Sequence, residues 1–109
     1  MSQKRLAELP LRKKVREAVL ERDGHRCVKC GSIAKLNVHH IRDRHDMPGG
    51  GYVKENGISL CEDSCHLKAE QWHISGGKEA PPGFSPNELY DEIGSSYAKA
   101  IKASLEALG

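Results

Sequence analysis

Aromatic side chains are scarce: one Trp, one Phe and three Tyr in 109 residues. An interior of stacked rings is therefore excluded, and a core must be assembled from short aliphatic groups. Long apolar runs are also missing, since none approaches the ~18 residues that a membrane span requires. The opening MSQKRLAELPLRKK lacks the apolar stretch of a secretory leader. An intracellular, cytoplasmic protein without membrane association is expected. Internal repeats are absent too, and 109 residues are enough for one domain, 1–109, rather than two. With hydrophobic residues at 38%, such a core is lean, and small domains of this kind usually need a staple.

No charge sign dominates, because the net charge is only +2, but the distribution is uneven. Residues 1–26 hold eight Lys/Arg against four Asp/Glu, whereas 75–109 hold three against five. Leu11, Val15, Ala18 and Val19 recur at helical spacing, which predicts a basic amphipathic helix over 11–23, stopped by Asp23-Gly24. Arg12, Lys13 and Arg16 on its outer side can lie on nucleic-acid phosphates; an ordinary solvated face is the plainer alternative.

Beyond this helix, 36–41 (LNVHHI) reads as a short strand and 56–60 (NGISL) as a second. The intervening polar stretch, broken by Pro48-Gly49-Gly50-Gly51, is a long loop. Residues 61 to about 72 read as a helix. A Gly/Pro connector over 75–85 follows. Ser85-Pro86-Asn87-Glu88 is a helix-start signature, and the apolar stripe after it predicts one long helix over 86–108, with Gly94 as its weak point. Trp72 is expected to anchor the core against that helix.

Four cysteines fall as two close pairs, Cys27-X2-Cys30 and Cys61-X3-Cys65. In a reducing compartment such pairs are better thiolate ligands than disulfides. Zn2+ takes four sulfurs tetrahedrally, so one ion would tie the entrance of the first strand to the start of the 61–72 helix. Such a site is coordinatively closed and has no place for substrate. Any catalytic metal must use other residues. His66, Glu70 and His73 lie at i, i+4 and i+7, along one helix face; a solvated polar stripe is the alternative for these three alone. Upstream, His39 and His40 stand side by side, although successive strand side chains point to opposite faces.

The run RCVKCG, LNVHHI, ENGISLC, CHLKAE resembles the HNH endonuclease family, the treble-clef or ββα-metal nucleases, over roughly 22–73. The resemblance implies an α+β fold: a small zinc-stapled ββα-metal module over 24–74, flanked by an N-terminal amphipathic helix and a C-terminal helix. It also implies metal-dependent hydrolysis of DNA phosphodiester bonds. His40 would be the general base, with Asn56 fixing its tautomer through the amide oxygen. His39 and His66 would hold a catalytic divalent ion, Mg2+, Mn2+, Ni2+ or Zn2+. Where the family often has a further histidine, this chain has Glu70; His73 is the alternative third ligand. Arg42 and Arg44, in the loop, are candidates for phosphate contact. Small proteins of this kind are frequent in phages and prophages, so phage packaging or replication proteins are candidate partners. Two other readings compete: a zinc-stabilised nucleic-acid-binding module without catalysis, and a small protein-interaction domain. Oligomeric state and target sequence are not readable from the residues.

Overall fold

A computed structural model describes residues 2–109, with side chains from Pro10 onward. Four helices and one two-stranded sheet follow in the order α1 (Ser2–Arg22), β1 (Leu36–His40), β2 (Gly57–Cys61), α2 (Cys65–Ile74), α3 (Pro86–Glu92) and α4 (Tyr97–Leu108). The strands pair antiparallel, with Leu36 opposite Cys61 and His40 opposite Gly57. This is the small α+β fold that the sequence implies. Among the described residues, no helix is long and apolar enough to cross a membrane.

Every residue of β2 is buried, because helices cover both faces of the hairpin. On one face, α1 sets Val19, fully buried, against the start of β2. Gly57 permits this approach, since a β-carbon there would come within 2.9 Å of Val19 Cγ2. Just beyond, the Arg22 guanidinium donates to the carbonyls of Lys54 and Gly57 at 2.6 and 2.7 Å. Its Nε meets Asp23 at 2.7 Å, and Asp23 accepts the Ser59 N–H. Arg22 is thus a clamp between helix and sheet, and α1 ends there: Gly24, at φ 71°, turns the chain and the His25 N–H returns to the Leu20 carbonyl at 2.8 Å.

The polar loop between the strands is organised by three short 3-10 turns, 44–46, 48–50 and 54–56. The core joins Ile41, Met47, Ile58 and Leu60 with Phe84, Leu89, Tyr90 and Ala100 from the C-terminal third.

In place of one helix over 86–108 there are two. Ser85 forms the expected capping box with Glu88 at the start of α3. Gly94, at φ 67°, then turns the chain into the left-handed region, where glycine is unhindered. Ser96 caps a new helix by accepting from the Lys99 N–H at 3.0 Å. The apolar stripe continues in phase across this break, so periodicity alone does not reveal it. Trp72 is half-buried and lies against the turn at Gly77. The acidic Glu62 and Asp63 precede α2 instead of forming its first turn.

Candidate functional site

The hairpin ends carry two separate clusters of metal-ligand side chains. At the Leu36/Cys61 end, Cys27, Cys30, Cys61 and Cys65 bring their sulfurs within 4.8 Å of one another. Cys30 and Cys61 Sγ stand 3.7 Å apart, too far for a disulfide. That separation is close to the ~3.8 Å edge of a tetrahedron with ~2.3 Å zinc–sulfur bonds. The first pair sits in a tight knuckle: Gly31, at φ 80°, donates to the Cys27 carbonyl at 2.9 Å. The Val28 N–H, bonded to the Ser59 carbonyl at 3.0 Å, fastens the knuckle to β2. At the second pair, the Cys65 N–H donates to Cys61 Sγ at 3.3 Å.

Burial opposes ionisation of Cys27, but the backbone N–H groups of Cys30, Cys61 and Lys29 outweigh it and bring the thiol down to about 7. Burial and then its sulfur neighbours push Cys65 up. Clustered thiols cannot all ionise without a cation among them. The donor chemistry and spacing fit zinc, which these residues could hold.

At the other end, strand alternation separates the adjacent histidines. Asn37 and His39 face α2, while Val38 and His40 face α1. His39 is 3% exposed, and its Nδ1 lies 3.2 Å from Glu70 Oε1. The same oxygen is 3.1 Å from His66 Nε2. Asn37 Nδ2, two residues before His39 on the same strand, reaches His66 Nδ1 at 3.4 Å. His39, His66 and Glu70 therefore form a second group whose ligand atoms all lie within 4.8 Å of one another. His73 is outside that set, though its ring centroid is 5.3 Å from that of His39.

Burial lowers the His39 pKa despite the adjacent carboxylate, which works against a charge on this ring. The hydrogen bond from His39 holds Glu70 down to about 2. His39 Nε2 is buried without a hydrogen-bond partner. A buried ring with an orphaned nitrogen, a second imidazole and an ionised carboxylate make a donor set that fits a divalent cation.

His40 is half-buried at the last position of β1. Burial, then the positive charge of Arg12, lower its pKa. Its ring meets Tyr52 edge-on, with centroids 5.2 Å apart and planes at 88°. Although their side chains leave opposite faces, both histidines border one cleft of about 270 Å3 that also contains His66, Glu70, His73 and Asp43. The strand stops at His40, and this lets both rings reach the same opening.

Asn56 departs from expectation. It is fully buried, and its amide does not touch His40. Oδ1 accepts the Arg42 N–H at 3.1 Å and the Tyr90 hydroxyl at 2.7 Å. Nδ2 donates to the Arg42 carbonyl at 3.1 Å and to Gly51 at 3.4 Å. With the Ile41 N–H bonded to the Asn56 carbonyl at 2.9 Å, this amide grips the backbone two residues past His40. The reason is burial: a fully enclosed carboxamide has to satisfy its own donors and acceptors, and backbone groups are the ones within reach.

The basic residues divide. Arg12, Arg16 and Arg44 line a larger cavity of about 410 Å3 on the α1 side of His40. Lys13 is exposed on the same helix, outside that lining. Arg42 lies over the Tyr97 ring, 4.7 Å from its centroid, and is half-buried instead of projecting from the loop. Tyr52 and Asp43 border these cavities, and Tyr90 holds the Asn56 amide, without any signal in their sequence spacing.

A hairpin, a cysteine knuckle and a following helix, with imidazoles at the strand–helix crossing, define a ββα-metal fold of the treble-clef kind. Residues 26–71 match the family model described as HNH endonuclease. No curated protein and no solved structure matches the chain.

Proposed function

We propose that the protein is a metal-dependent endonuclease that hydrolyses DNA phosphodiester bonds, with the four cysteines holding a structural zinc. One observation carries this reading: His39, His66 and Glu70 converge within 4.8 Å on a cleft that His40 also borders. His39, His66 and Glu70 would hold the catalytic divalent ion, Glu70 taking the third position in preference to His73. When bound, that ion supplies positive charge to the phosphate and to the leaving 3′ oxygen.

His40, whose pKa burial lowers, accepts a proton from the attacking water. The water oxygen bonds to phosphorus as the P–O3′ bond breaks, and the departing oxygen takes a proton from solvent. Asn56 is a positioning residue in this scheme. By gripping the Arg42 backbone it fixes where β1 ends, and so where the His40 ring stands. Arg12, Arg16 and Arg44 line the adjoining cavity on the α1 side of His40 and would bring positive charge to a polyanion there, to which Lys13 and Arg42 would add.

Supercoiled plasmid is the direct test, incubated with Mg2+, Mn2+, Ni2+ or Zn2+ beside an EDTA control and a His40→Ala variant. The expected result is metal-dependent nicking or linearisation, reduced on the order of a hundredfold or more in the variant. Binding of DNA with every plasmid left intact would instead make this a zinc-stabilised binding module, and neither binding nor cutting would make it a protein-interaction domain.

A further inference from the structure

The cavity on the α1 side of His40 is not needed for the chemistry just described, yet its walls have a definite character. Val15 and Val38 provide apolar surface, Tyr52 an aromatic ring, and Arg12, Arg16 and Arg44 three guanidinium groups. Arg12 Nη2 donates to the Tyr52 hydroxyl at 2.8 Å, and its guanidinium carbon lies 5.1 Å from the Tyr52 ring centroid. Gly50, at φ 86°, gives this ring its seat, since a β-carbon there would stand 2.7 Å from Tyr52 Cε2. At about 410 Å3, the space lies within the ~300–1,000 Å3 typical of pockets for single small ligands.

Its position matters as much as its lining. Val38, His40 and Asp43 border both this cavity and the cleft of the metal-ligand group, so His40 stands in the wall between the two. Moreover, Arg12, Val15 and Arg16 belong to α1, which precedes the segment matched to the HNH family at residues 26–71. One side of the cavity is therefore supplied by a part of this chain outside the family's own module.

We propose that this cavity is a nucleotide subsite: it receives one deoxynucleotide of the cut strand, adjacent to the scissile phosphate, with its base unstacked from its neighbours. Aromatic rings and guanidinium planes are the surfaces on which free bases stack, and guanidinium groups also bind phosphate bidentately. A pocket of this size suits a single nucleotide instead of a paired one, so the subsite selects single-stranded or locally melted DNA over intact duplex. The proposal rests on the nuclease reading for the identity of its ligand.

Two measurements on zinc-loaded protein test it. First, thymidine 3′,5′-bisphosphate is titrated with no other metal present, while the Val15 and Val38 methyl resonances are followed by NMR, beside a titration with inorganic phosphate. Second, cleavage rates are compared for a labelled single strand, its perfect duplex and a duplex with a short mismatched bubble. Saturable shifts at both methyls are expected for the nucleotide, with binding at least tenfold weaker for Tyr52→Leu and for the cavity-filling Val15→Trp. The single strand and the bubble should be cut at least fivefold faster than the duplex, and the variants should bring this ratio below two. If Val15→Trp loses zinc or helical content, Tyr52→Leu and the wild-type measurements decide.

Absence of methyl shifts, equal binding of inorganic phosphate, or duplex cleavage as fast as single-strand cleavage would each overturn the subsite. DNA cutting without methyl shifts removes the subsite and leaves the nuclease; methyl shifts without any cleavage keep the subsite and remove the nuclease.

Discussion

The two ends of the hairpin hold the same kind of inventory, a cluster of metal-ligand side chains, and use it in opposite ways. At the Cys61 end the donors are four sulfurs, three of them buried, and the backbone turns inward around them. A tetrahedral ion there would have no open position. At the His40 end the donors are mixed nitrogen and oxygen, and they border an open cleft. The same short sheet thus separates a closed centre, suited to holding the fold, from an open one, suited to chemistry.

The sharpest way to break this comparison is to disable each end alone. Cys27→Ser, or strong chelation, should release about one zinc per chain and unfold the protein, because binding energy at a structural site is folding energy. Elemental analysis with circular dichroism reads both effects, and a folded protein without zinc would contradict the assignment. His66→Ala should do the reverse: zinc content and helical signal stay within error of wild type while DNA cleavage is lost. If His66→Ala unfolds the chain, the open centre is structural after all.

Between these extremes lies Asn56, which belongs to neither metal group yet sits immediately before the strand connecting them. Asn56→Ala would leave the Arg42 N–H and the Tyr90 hydroxyl without their buried partner. A loss of about 2–3 kcal/mol in stability is expected from urea unfolding, with zinc retained and cleavage reduced. An unchanged unfolding midpoint would mean that water replaces the amide.

The smallest effect concerns Tyr90. Burial raises its pKa above the ordinary value, so the folded chain resists an ionisation that the unfolded chain undergoes near pH ~10. The stability this contributes is present below pH ~10 and is lost as pH rises beyond it. Urea midpoints at about pH 9 and 11 should therefore differ more in wild type than in Tyr90→Phe. Equal differences would mean that the hydroxyl is not held in its protonated form.

Legibility in the sequence follows how local each signal is. Cys27-X2-Cys30 announces a knuckle because the ligands are neighbours, and His66 with Glu70 announces a shared helix face for the same reason. The Ser85 capping box is equally local. By contrast, the break at Gly94 is hidden by an apolar stripe that continues in phase from Leu89 to Ile101. The role of Asn56 depends on which groups surround a fully buried amide, and no spacing rule states that. Tyr52 gains meaning only when Arg12 of α1 and His40 of β1 meet it across the fold. Arg22, counted by charge among surface cations, is committed to the Lys54 and Gly57 carbonyls.

The pairing of Leu36 with Cys61 and of His40 with Gly57 gives the cysteine cluster a second consequence. Shifting an antiparallel partner by one residue would send every side chain of the strand to the opposite surface. His39 would then turn away from Glu70, and His40 would be driven in behind it. An ion gripped at Cys61 would anchor the far end of that ladder, so the closed centre would decide which imidazole stands beside the open one.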